Sequence, residues 1–126
     1  MSFLALWLLE VYHLFFIMDK KTENIADQLG LKTYQARRAL EIALGNLVTF
    51  DKKQQDYGAN NISANPCPEL GVAIRANDKV QRLMNLLYSE SDPNNESILD
   101  AWLDLSNYGL IGAMLTHGVW LPDYED

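Results

Sequence analysis

Residues 96–116 constrain the fold most. Ile98, Leu99, Trp102, Leu103, Leu105, Tyr108, Leu110 and Ile111 recur so that they cover nearly every side of a helix. One polar stripe interrupts them: Glu96, Asp100, Asp104 and Asn107 fall within about 80° of arc. A helix that is apolar on most sides is expected to be buried, so this stripe is expected to face an interior or a cleft. The preceding helical segment carries the complement. Arg75, Lys79 and Arg82, spaced i, i+4, i+7, fall within about 60° of arc. Buried carboxylates are costly unless cations or a metal answer them. Two arrangements satisfy that demand. The basic residues neutralise the acids as interhelical ion pairs, or Asp100 and Asp104 hold Mg²⁺ through oxygen ligands while the basic residues meet phosphate.

The rest of the chain reads as helix without a convincing strand, so the expected fold is an all-α five-helix bundle. The helices are expected over 3–18, 22–29, 33–55, 72–89 and 96–116. Thr22 is expected to cap the second, Gly30 to end it, and Thr33 to cap the third. The third helix repeats Ala36, Ala39, Leu40, Ala43, Leu44, Leu47 and Phe50 at helical spacing. Residues 56–70 carry Gly58, Pro66, Pro68 and several asparagines, and read as a long loop between the third and fourth helices. A loop of that length in a small bundle is more often functional than a short one. Asn95 is expected to cap the last helix. The chain is read as one domain, with N-terminal helices over 1–46, the charged helices over 47–117 and an aromatic, acidic tail over 118–126.

At 126 residues and 48% apolar content the chain can build one core. A domain of this size buries only about two thirds of its surface on folding, so a homodimer or larger homo-oligomer is expected. The net charge of −7 argues against non-specific contact with DNA or anionic membranes, but not against a small anion held by a local basic patch. Residues 3–18 are almost all apolar, yet the run is shorter than the roughly 20 residues a bilayer requires and carries Glu10 and His13. No basic residue precedes it, so it reads as a core or interface helix rather than a signal peptide or membrane span. The single cysteine, Cys67, forms no disulfide framework or zinc cluster, which points to a reducing compartment, the cytoplasm, and reads as a structural bystander.

Three motifs follow one another in order. Lys53-x-x-Asp56-Tyr57-Gly58 is followed by Arg75-x-x-Asp78-Lys79-x-x-Arg82-Leu83-x-Asn85-Leu86. Then comes Glu96-Ser97-x-x-Asp100-x-x-x-Asp104-Leu105-x-Asn107-Tyr108. Over residues 47–110 this resembles a phage-borne family, the nucleotide modification associated domain, which is similar to the MazG-like all-α nucleoside triphosphate pyrophosphohydrolases. The resemblance implies a helical bundle that binds a (deoxy)nucleoside triphosphate and uses Mg²⁺, for which Mn²⁺ can substitute. It releases pyrophosphate and a monophosphate, in the host cytoplasm if the chain is phage-encoded. By that likeness Glu96, Asp100 and Asp104 would hold the metal, with Asn107 as a further oxygen ligand. Lys53, Arg75, Lys79 and Arg82 would meet phosphates, Asp56 would orient water or metal, and Tyr57 and Tyr108 would contact the nucleotide. MazG-like enzymes carry E-x-x-E on one helix and E-x-x-D on the next. Here the second motif reads Asp104-Leu-Ser-Asn107 and the first has no counterpart beyond Lys53-x-x-Asp56. Fewer acids leave less charge to hold two metal ions. The alternative is therefore a non-catalytic protein that binds or sequesters a nucleotide.

A third reading comes from Ile25-Ala26-x-x-Leu29-Gly30-Leu31 followed by Ala36 and Ala39, which has helix-turn-helix spacing. Lys32, Tyr34, Gln35, Arg37 and Arg38 would then face a major groove. Tight helical corners produce the same pattern by packing alone. His13 and His117 show no ligand spacing. Trp7, Trp102 and Trp120 read as core or interface residues, and no glycine-rich phosphate loop is present.

Overall fold

The computed structural model describes residues 2–4 and 18–121. The expected first helix over 3–18, with Trp7, Glu10 and His13, and the end of the acidic tail lie outside the described residues. Five helices occur among the described residues: α1 (Lys20–Gln28), α2 (Tyr34–Tyr57), α3 (Asn60–Ser63), α4 (Pro68–Ser89) and α5 (Ile98–Thr116). The fold is all-α. No described helix is long and apolar enough to cross a membrane. The chain divides between Val48 and Thr49 into two compact units, and the division falls within α2.

The N-terminal unit contains α1 and the first turns of α2. Asp19, rather than Thr22, caps α1: its Oδ1 accepts from the Thr22 backbone N–H at 2.8 Å. That hydrogen bond lowers the Asp19 pKa. Gly30 ends the helix at φ +69°, where a glycine carries no Cβ penalty. Its N–H donates to Asp27 O and the Leu31 N–H to Ala26 O, closing a Schellman motif. Thr33 Oγ1 then accepts from the Ala36 N–H at 3.1 Å and starts α2, as its sequence position implies. The two arginines that a helix-turn-helix would aim at DNA are engaged inside this corner. Arg37 donates to Leu31 O at 3.0 Å and to Asp27 Oδ1 at 2.6 Å. Arg38 pairs with Glu41 at 2.6 Å and lies 5.3 Å from the centre of the Tyr34 ring.

The C-terminal unit holds the rest. The segment expected as a 56–70 loop is largely helical. α2 runs on to Tyr57, Gly58 turns the chain at φ +69°, and α3 follows. Ala59 and Ile62, three residues apart, are both buried, and this apolar pair anchors the short helix despite its asparagine-rich composition. α4 starts at Pro68 rather than Val72, because proline is already set for the first helical position and loses no backbone bond there. Asn65 folds back on this start. Its Oδ1 accepts from the Cys67 N–H at 3.0 Å, and its amide lies where a Cβ on Gly71 would stand.

α4 and α5 form the most extensive helix pair. The turn between them begins at Glu90, a non-glycine residue at φ +51°. Ser97, not Asn95, caps α5 in a reciprocal box: the Asp100 N–H donates to Ser97 Oγ at 3.0 Å, and the Ser97 N–H to Asp100 Oδ2 at 3.3 Å. Glu96 therefore stands outside the helix. The core of this unit is built on Ile62, Val72 and Ile111, with Phe50, Tyr108, Met114, Leu115 and Trp120 packed against it. Trp120 also donates its indole N–H to Ala59 O at 3.2 Å, tying the segment that follows α5 to the start of α3.

The expectation that α5 is buried all round is corrected. Ala101, Asn107 and Ile111 are buried, but Leu99, Trp102 and Leu110 are each at least half exposed. No α2 residue is fully buried, and Leu47 is 54% exposed.

Candidate functional site

The two charged stripes meet where their helical spacing directs them. α4 and α5 run antiparallel, so later residues of α4 face earlier residues around α5. Lys79 Nζ lies 2.9 Å from Asp104 Oδ2 and 3.1 Å from Glu96 Oε2. Three residues on, Arg82 donates to the carbonyls of Ser97 and Glu96 and fixes the start of α5 against α4. From α2, Lys53 Nζ reaches Asp104 Oδ1 at 3.3 Å. Asp104 thus joins three helices through one carboxylate.

Burial sets how much these contacts count. The Asp104 and Lys79 side chains are 18% and 20% exposed, whereas Lys53 is 52% exposed and Glu96 58%. Burial alone would raise the Asp104 pKa, but the hydrogen bond and charge of Lys79, with Lys53 beside it, outweigh that and hold it below the ordinary carboxylate value. Asp104 and then Glu96 hold the Lys79 pKa above its ordinary value against the opposing effect of burial.

These residues line one cleft of about 460 Å³. α2 contributes Phe50, Lys53, Gln54 and Tyr57, and α3 contributes Asn61 and Ile62. α4 supplies Arg75 and Lys79, and α5 with its approach supplies Glu96, Asp104, Asn107, Tyr108 and Ile111. Eight of the eleven residues singled out from sequence therefore surround this cleft, and Asp56, Arg82 and Asp100 do not. Asp56 is exposed at the end of α2, Arg82 clamps the α5 start, and Asp100 completes the α5 cap. Asn61 carries no periodic signal, and its place follows from α3; Gln54 lies inside the helix expected over 33–55, four residues after Phe50 and three before Tyr57, and its spacing marks the same face. The cleft has an apolar floor of Phe50, Ile62 and Ile111, an exposed Tyr57 at its edge, and three cations against two carboxylates. Arg75 makes no hydrogen bond or ion pair among the described residues.

The acids expected to hold Mg²⁺ do not gather into an oxygen cage. Glu96 and Asp104 converge on the ammonium of Lys79, and one Asp100 oxygen faces the Ser97 N–H. No group of three or more potential metal ligands occurs among the described residues. In this arrangement the donor set does not fit a resident divalent ion. The chain matches no protein-family model, no curated protein and no solved structure.

Proposed function

We propose that this chain binds a nucleoside triphosphate in the cleft between α2, α4 and α5. The observation that carries the reading is Arg75. It stands uncommitted among the described residues and lines the same cleft as half-exposed Lys53 and exposed Tyr57. A guanidinium takes phosphate oxygens bidentately, and an exposed aromatic ring offers a face for a base. The cleft's volume lies within the range of small-molecule sites, which is about 300–1,000 Å³. Its mixture of apolar floor and a few converging polar groups is also typical of them. The resemblance over residues 47–110 supports the same ligand class, and the cytoplasm is the compartment that supplies it. The role is binding or sequestration, because the two cleft carboxylates are already committed to protein cations. Calorimetric titration with each dNTP tests this; no binding of any nucleotide refutes it.

A second reading, Mg²⁺-dependent pyrophosphohydrolysis of the MazG type, is favoured by one observation. Glu96 and Asp104 reach a single cation position from separate places in the chain. It requires Mg²⁺ to take the place of the Lys79 ammonium. Incubation of each dNTP with Mg²⁺ or Mn²⁺ followed by chromatography decides between the readings. Monophosphate and pyrophosphate support hydrolysis, and unaltered triphosphate supports binding alone.

A further inference from the structure

The Lys79 ammonium stands at the point where the cleft carboxylates converge, 2.9 Å from Asp104 Oδ2 and 3.1 Å from Glu96 Oε2. The other Asp104 oxygen faces Lys53 Nζ at 3.3 Å. A lysine ammonium has three N–H donors. Two are accounted for by these carboxylates, which leaves one for an oxygen of a ligand in the cleft that Lys79 lines. A divalent ion entering between Glu96 and Asp104 would meet this ammonium at contact distance, and like charges a few ångströms apart in a partly buried site repel strongly. The Lys79 side chain is only 20% exposed and is held from two sides, so it does not readily give up the position.

We propose that Lys79 is the built-in cation of this cleft. It takes the place between Glu96 and Asp104 that a divalent ion would otherwise fill, so the protein binds a nucleoside triphosphate without a divalent ion of its own. The inference rests on the nucleotide reading above, and its test separates the two. Mn²⁺ alone is titrated onto the full chain, followed by electron paramagnetic resonance, and dATP is titrated by calorimetry in EDTA and again in Mg²⁺. Wild-type protein is expected to bind no stoichiometric Mn²⁺. Its dATP affinity in EDTA is expected to stay within about threefold of that in Mg²⁺, less than the loss of one charge-assisted hydrogen bond would cause. Lys79→Met, which keeps the side-chain length but removes the charge, is expected to gain one Mn²⁺ per chain. It should also lose about tenfold or more in metal-free dATP affinity. One Mn²⁺ per wild-type chain, abolished by Asp104→Asn, would overturn the inference, as would dATP binding that needs Mg²⁺. Failure of dATP to bind in either medium sinks the nucleotide reading, while the Mn²⁺ titration still decides what Lys79 does. If Lys79→Met does not fold, as judged by circular dichroism, the wild-type titrations decide alone.

Discussion

Asp104 joins Lys53 on α2 to Lys79 on α4 with little exposure to water. Removing its charge leaves a mostly buried ammonium with only the exposed Glu96 as partner. Asp104→Asn is expected to cost about 1–3 kcal/mol at neutral pH in denaturant unfolding. The pH dependence follows from two displacements of opposite sign. Asp104 has a lowered folded-state pKa, so its contribution is complete above the ordinary carboxylate pKa and disappears as pH falls through the lowered value. Lys79 has a raised one, so its contribution is complete below the ordinary lysine pKa and disappears as pH rises through the raised value. The gap between wild type and Asp104→Asn should therefore be flat from about pH 5 to pH 9 and narrow below about pH 4. A gap that narrows near pH 7 would contradict this. Asp104, Asn107 and Lys79 were legible from spacing, because three and four residues along a helix return to one face. Asp100 shares that face, but Ser97-x-x-Asp100 is also a capping signal, and the helix end took the carboxylate. Periodicity alone does not distinguish those two uses.

At the scale of elements, the long described helices and the turn at Gly30 follow from periodicity and punctuation, whereas α3 and the turn at Gly58 that leads into it do not. A four-residue helix has no period to detect, and the burial of Ala59 and Ile62 depends on residues far along the chain. Asn61 was missed as a cleft residue for the same reason, whereas Gln54, on α2, shares the face of Phe50, Lys53 and Tyr57 and was open to the spacing argument. The turn after α4 carries a testable strain. Glu90 adopts φ +51° without being glycine, a conformation that costs an L-residue about 1–2 kcal/mol. Its side chain is exposed. Glu90→Gly should gain roughly 0.5–1 kcal/mol of stability, net of glycine's greater backbone entropy in the unfolded chain. Thermal unfolding measures it, and a loss of stability would show that the glutamate side chain contributes more than its backbone costs.

For the whole molecule, the apolar surface of α5 is the feature that one chain leaves unresolved. Leu99, Trp102 and Leu110 are 60%, 51% and 52% exposed, on a helix whose opposite side is buried. Self-association of the chain is one arrangement that would cover this face. Wild type is predicted to sediment as a dimer or larger, and Trp102→Lys with Leu110→Lys is predicted to shift it toward a single chain. Sedimentation of wild type as a single chain would count against self-association. The cleft poses the more direct question, because α2, α3, α4 and α5 meet there and the nucleotide reading depends on it. Calorimetric titration of dATP onto wild type and Arg75→Ala tests that claim. Wild type is expected to bind saturably at 1:1, and the variant to lose about tenfold or more in affinity, as follows when a charge-assisted phosphate contact is removed. No binding by wild type, or equal affinity in the two proteins, would contradict it.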